Sequence, residues 1–174
     1  ARDTVIKKSL REQGVWAESH NGSLLFEPWD LATQQGGPYK VFTPYWRQAL
    51  SRLSLRARWQ APAVLPVPAG MMPGVPLEQL RLLPAIRWDA GFWTHWQPGE
   101  AGAAEALETF VEGALEGYVQ QRDLPDRVGT SLLSPHLHFG EIAPWRIAHV
   151  LQENRSARTD AHIDGLLRQL GWRD

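Results

Sequence analysis

From Gly102 to Gln121, apolar residues return at the spacing of one helix face: Ala103, Leu107, Phe110, Val111, Ala114, Leu115 and Tyr118, with Glu105, Glu108, Glu112 and Glu116 on the opposite side. A stripe that recurs at i, i+3, i+4 and i+7 has to be buried against a partner. The chain supplies partners of the same kind. Glu141 to Gln152 carries Ile142, Trp145, Ile147, Ala148 and Leu151 at helical spacing. A third pattern starts near Thr159 and Asp160 and carries Ile163, Leu166, Leu167 and Leu170. The second half of the chain therefore reads as helix packed on helix.

The first half is less regular. Residues 1–13 read as a helix, with Val5, Ile6 and Leu10 opposite Lys7, Lys8, Arg11 and Glu12, and Gly14 is its expected stop. Val15 to His20 is a short candidate strand, Asn21-Gly22 a turn, and Leu24-Leu25-Phe26 a short apolar run. Thr43-Pro44 predicts a helix start, with Thr as the cap and Pro at the first helical position, running towards Leu53. Residues 60–84 hold six of the thirteen prolines and few charges, which predicts an irregular connector laid along a surface. No internal repeat or low-complexity tract interrupts this order.

Composition narrows the function classes. At 174 residues and 43% hydrophobic, the chain can build one large or two small cores. A net charge of −1 means that any contact with nucleic acid must come from a local basic patch. With no cysteine, disulfides and thiolate chemistry are excluded. That is compatible with a reducing compartment, and the cytoplasm is the expected location. No apolar run approaches the roughly 18 residues of a membrane span, and no signal segment opens the chain. Ala1 in place of an initiator Met is what a piece of a longer or processed chain would show. Of the nine tryptophans, Trp16, Trp29, Trp46, Trp59, Trp88, Trp93, Trp96 and Trp145 are assigned mostly to packing.

The run Gly129 to Glu141 carries the most chemistry. Thr130, Ser131 and Ser134 lie within five residues, opened by Gly129 and closed by Pro135. Such a segment can aim hydroxyls and backbone N–H groups at one anion, a phosphate or pyrophosphate. It can equally be a hydroxyl-rich turn that caps the next helix. His136, His138 and Glu141 have donor types that suit a metal, but they do not form a closed ligand set, and no metal site is expected. Tyr118 reads locally as a half-buried tyrosine with a wetted hydroxyl, and Arg122 as a partner for a helix C-terminus.

Several sequence blocks occur in one order along the chain: Leu24-Leu25-Phe26-Glu27-Pro28-Trp29; Tyr39 to Arg47; Tyr118 with Arg122-Asp123; Gly129 to Glu141; and Leu170-Gly171-Trp172-Arg173-Asp174. In order and approximate spacing they resemble the DNA photolyase/cryptochrome family. The resemblance implies a mainly α chain: the end of an α/β Rossmann-like antenna domain over residues 1–50, a long irregular linker over 51–100, and the beginning of an all-helical FAD-binding domain over 101–174. It implies an internal part of a flavoprotein, a deoxyribodipyrimidine photolyase that repairs cyclobutane pyrimidine dimers in DNA by electron transfer from photoexcited, reduced FAD. A second antenna chromophore, of folate or deazaflavin type, belongs to the complete protein, which is expected to be a monomer with dimer-containing DNA as its partner and no membrane.

By the same resemblance, FAD is held by Tyr118, Thr130, Ser131, Leu132, Leu133, Ser134 and Arg173. Arg122, Gln169, Trp172 and Arg173 meet DNA, and Trp172 and Gln169 serve the reaction, Trp172 by stacking on the extruded dimer. Two positions depart from the family pattern. Leu132 stands where a basic residue is usual. Gln169 stands where repair-active members usually carry a glutamate, which leaves a cryptochrome-like signalling flavoprotein without repair as the alternative. Taken by itself, the chain is expected to bind flavin weakly or not at all.

Overall fold

The computed structural model describes residues 2–53, 62–67, 70 and 74–174. Trp59 and part of the 60–84 connector lie outside these residues. The first helix, α1 (Arg2–Glu12), buries none of its side chains. It ends as expected at Gly14, whose φ is +76°. There the N–H of Val15 bonds Leu10 O at 2.9 Å and that of Gly14 bonds Arg11 O at 3.0 Å, the paired closure that a left-handed glycine permits.

The expected strand over Val15–His20 does not form, and no strand occurs among the described residues. A strand needs a neighbour to complete its ladder, and none is present there. The Ala17 carbonyl is taken instead by Arg11 Nη2 at 2.8 Å. The Asn21-Gly22 turn is a side-chain turn: Asn21 Oδ1 accepts from the N–H groups of Ser23 (3.3 Å) and Leu24 (3.1 Å). Leu25 and Phe26 then enter the core. The stretch that resembles the end of an α/β domain thus consists of helix and irregular chain.

Helix α2 (Phe42–Arg52) starts one residue before Thr43; the cap position is Val41, and no side chain caps it. Proline is tolerated anywhere in a first turn, where N–H groups lack intrahelical partners, so Pro44 marks the turn without fixing the first residue. The single helix expected over 102–121 is broken into α3 (Glu100–Gly113), a 3-10 turn (Leu115–Gly117) and α4 (Tyr118–Gln121). Gly113 and Gly117 flank the break and weaken the helix there. The buried face is nevertheless the one that periodicity picks out, with Ala103, Leu107, Phe110, Leu115 and Tyr118 inside.

The hydroxyl-rich run leads into a short helix, α5 (Ser134–Phe139). Helix α6 (Pro144–Glu153) begins at its proline, three residues later than the apolar pattern suggests. Helix α7 (Asp160–Arg173) follows a turn built on buried Thr159, whose Oγ1 accepts from Ser156 N at 2.8 Å and donates to Asn154 O at 2.8 Å. Helix α7 is central and packs against α2, α4 and α6. Its Gly171 has no room for a side chain, because an added Cβ would strike the Trp46 ring of α2.

The tryptophans divide. Trp46 and Trp145 pack against the core. Trp16, Trp29 and Trp88 do not: they are 87%, 77% and 71% exposed. These three sit on segments outside the helical body, where nothing lies over them. No helix among the described residues is long and apolar enough to cross a membrane.

Candidate functional site

An open groove of about 710 Å³ lies between α4, the 129–134 loop and the last turns of α7. It brings together all ten residues singled out above: Tyr118, Arg122, Thr130, Ser131, Leu132, Leu133, Ser134, Gln169, Trp172 and Arg173. Leu137, Ile147, Leu166 and Leu170 supply apolar lining.

On one wall, Tyr118 opens α4, and α4 is tied to α7 because His162 Nδ1 accepts the Val119 N–H at 3.2 Å. That bond makes His162 Nδ1 the unprotonated ring nitrogen. Arg122, one turn along, donates from Nη1 to the Tyr118 hydroxyl oxygen at 3.3 Å and sets its guanidinium 5.6 Å from the ring centroid. Burial pushes the Tyr118 phenol above its ordinary range, and the neighbouring guanidinium only partly offsets this. The hydroxyl stays protonated at neutral pH. Since it accepts from Arg122, its own proton is available to a ligand.

The loop is pressed against the end of α4. A Cβ on Gly129 would lie 2.6 Å from the Gln121 backbone, so only glycine fits. Leu133, 2% exposed, pins the loop into the core, while Leu132 beside it adopts a left-handed φ of +53° and is half exposed. Among the described residues no partner engages the hydroxyls of Thr130, Ser131 or Ser134. Behind the loop, His136 is buried and its Nδ1 lies 2.6 Å from Glu141 Oε2. That bond holds the Glu141 carboxyl below the usual range, with help from the Gly99 N–H. His138 is exposed and meets Phe139 edge-on. No group of three metal-ligating side chains occurs among the described residues.

At the end of α7, Trp172 is 59% exposed and stacks on Phe42 with centroids 3.7 Å apart and planes 7° apart. Gln169, one turn earlier, is half-buried in the groove wall. Arg173 has two nitrogens committed to backbone: Nη1 donates to Ser23 O, and Nη2 to Leu137 O at 2.7 Å. The carboxylate of Asp174 accepts from Leu25 N (3.0 Å), Phe26 N (3.1 Å) and the Tyr45 hydroxyl (3.0 Å). Burial raises its pKa despite those donors. The block from Leu24, the block around Tyr45 and the block ending at Asp174 therefore meet in space.

Sequence reasoning does not find Phe42, Asp174 or Trp96 as site residues. Trp96 lines the groove from the connector side, and its indole N–H is buried without a partner among the described residues. No local pattern distinguishes it from the other tryptophans. Hydroxyls, a phenol and a guanidinium ringed around an apolar floor fit a flat apolar ring system with an anionic, diphosphate-bearing tail. The donor set thus suits FAD.

The sequence profile described as DNA photolyase matches residues 1–68. The chain is 37% identical over its whole length to a deoxyribodipyrimidine photo-lyase of Agrobacterium fabrum, of which it covers 36%. It is 30% identical over 99% of its length to cryptochrome-2 of Arabidopsis thaliana, covering 30% of that protein. It superposes on the crystal structure of a bacterial class III photolyase from Agrobacterium tumefaciens with a TM-score of 0.88 and 36% identity, over 99% of this chain and 36% of that one. The chain thus spans about a third of the length of these relatives.

Proposed function

The chain belongs to the DNA photolyase/cryptochrome family, and on that premise we propose that it forms part of a longer flavoprotein that repairs cyclobutane pyrimidine dimers in DNA with light. The observation that supports this reading is the groove itself, whose lining includes every position that the resemblance assigns to flavin or to DNA. The division into the end of an antenna domain (1–50), a linker (51–100) and the first part of a FAD-binding domain (101–174) belongs to the same proposal. So do a folate- or deazaflavin-type antenna chromophore elsewhere in the protein, a monomeric state and a cytoplasmic location.

In this reading Tyr118 and residues 130–134 hold FAD. The protonated Tyr118 hydroxyl and the loop hydroxyls donate to anionic oxygens, and Leu133 keeps the loop in place from below. Bound there in its reduced form and excited by light, FAD would lend one electron to the dimer and recover it once the two carbon–carbon bonds of the cyclobutane ring had opened, so the repair would leave no net change of oxidation state. Arg122 offers a cation to the DNA backbone, a contact that positions a duplex without reading sequence. Trp172 offers a plane on which an extruded base stacks. Gln169 hydrogen-bonds the dimer through its amide. Arg173, with two nitrogens bonded to carbonyls, acts mainly by locking the end of α7 onto the 23–26 segment and contributes its charge to the groove from there.

A signalling flavoprotein without repair is the second reading, and Gln169 favours it, because an amide has no acidic proton to place beside the reduced dimer. The test is an absorption spectrum of the purified full-length protein followed by blue-light treatment of thymine-dimer DNA. Flavin bands with repair are expected. Flavin bands without repair select the signalling reading, and absence of flavin defeats both.

A further inference from the structure

We propose that Phe42 is a positioning residue for Trp172, fixing the plane on which an extruded pyrimidine stacks; the inference rests on the reading of the groove given above. Trp172 lies in the last turn of α7, is mostly exposed, and would be free to change rotamer if α7 alone held it. What holds it is Phe42, the first residue of α2, with rings 3.7 Å apart and within 7° of parallel. Phe42 is in turn fixed from other directions. Trp46, one turn along α2, stacks on it in an offset manner at 6.0 Å and 10°, and the guanidinium of Arg168, one turn before Trp172 on α7, sits 5.5 Å from its centroid. The close crossing at Gly171 and Trp46 sets the register between the two helices, so the orientation of Trp172 is decided by α2 as much as by its own helix.

This has a chemical consequence. One face of the Trp172 indole is covered by Phe42, so a base can stack only on the other. A platform whose orientation is already set does not lose rotamer freedom when the base arrives. Because pyrimidines stack on any aromatic plane, the gain favours an extruded base over a duplex that keeps its bases stacked. Phe42 therefore contributes to lesion discrimination without touching DNA.

The test is a double-mutant cycle in the full-length, flavin-loaded protein, read as the affinity for a thymine-dimer oligonucleotide against the same undamaged oligonucleotide. Phe42→Leu is expected to weaken dimer binding by about three- to tenfold, the range of an aromatic pair, and to leave undamaged DNA unchanged. Phe42→Tyr, which keeps the flat ring, is expected to behave as wild type. In a Trp172→Ala background, Phe42→Leu is expected to add nothing. Should Phe42→Leu fail to fold, Phe42→Met takes its place, keeping bulk without a plane. If Trp172→Ala weakens dimer binding and Phe42→Leu does not, the positioning role is overturned. If Phe42→Leu has the same effect with and without Trp172, Phe42 acts elsewhere and the proposal also fails. If Trp172→Ala leaves dimer binding unchanged, the reading of the groove itself is wrong.

Discussion

Leu132 holds a left-handed backbone, φ +53°, at the centre of the hydroxyl-rich loop. A non-glycine residue there costs roughly 1–2 kcal/mol. Leu132→Gly removes that strain but gives up to about 1 kcal/mol to the added freedom of the unfolded chain, so the melting temperature is expected to rise slightly or stay constant. By contrast, Leu133→Ala, at a 2% exposed position one residue on, should destabilise by about 2–5 kcal/mol. Thermal melts of the two variants test whether the loop is held by its backbone or by this anchor. The half-exposed side chain of Leu132 also makes a charge cheap to add. Leu132→Arg, the basic type usual in the family, is expected to tighten binding of pyrophosphate about two- to fivefold at low salt, and the gain should vanish at high salt. A titration in which the gain never appears would mean that the loop does not present an anion site, and one in which it persists at high salt would mean that the added guanidinium bonds the anion directly instead of acting through a screened field.

The α2–α7 crossing depends on Gly171, where any Cβ meets the Trp46 ring. Gly171→Ala is expected to cost about 1–3 kcal/mol by overpacking, seen as a lower denaturation midpoint with an unchanged m-value. The pairing of α5 with Glu141 responds to acid in a definite direction. The Glu141 carboxyl is held below its ordinary range, so its contribution is fully present above the unfolded value of about 4.3. It is lost as the pH falls through the lower folded value. Asp174 has the opposite sign: its folded pKa is raised, so stability declines as the pH climbs from the unfolded towards the folded value. Glu141→Gln should flatten the acid-side loss and Asp174→Asn should remove the opposing slope, as measured by denaturation across the acidic range. Elements differ in how much of this is legible in sequence. α3, α6 and α7 are visible because their periodicity and their burial coincide. The break between Gly113 and Tyr118 is not, because a glycine costs only about 1 kcal/mol in a helix and packing decides whether the helix continues. Val15–His20 has the composition of a strand and no partner, which only the folded chain shows. The loop residues of the site announce themselves by their hydroxyls. The Asp174 bond to Leu25, across 149 residues, and the Phe42–Trp172 stack leave no local pattern at all.

At the scale of the whole molecule, the helical body is well filled, but the chain around it is not covered. Along the connector Val64, Leu65, Val67, Leu82, Leu83, Ile86 and Trp88 are all exposed, and α1 adds Val5 and Ile6. Isolated apolar side chains on a surface are ordinary; a succession of them along one segment is what binding faces look like. With a net charge of −1, electrostatic repulsion does little to keep copies apart. The 174-residue chain on its own is therefore expected to self-associate, with an average mass that rises with concentration in sedimentation or light scattering and with binding of an apolar dye such as ANS. The same chain is expected to take up little or no FAD, because the groove is open on one side and its donors gain too little from a ligand they only partly enclose. Replacing Leu82, Ile86 and Trp88 together by serine or lysine should reduce the association and leave the melting transition of the helical body in place, since none of the three belongs to the core. A single monomeric mass across a wide concentration range, without dye binding, would show that these side chains cover one another in solution.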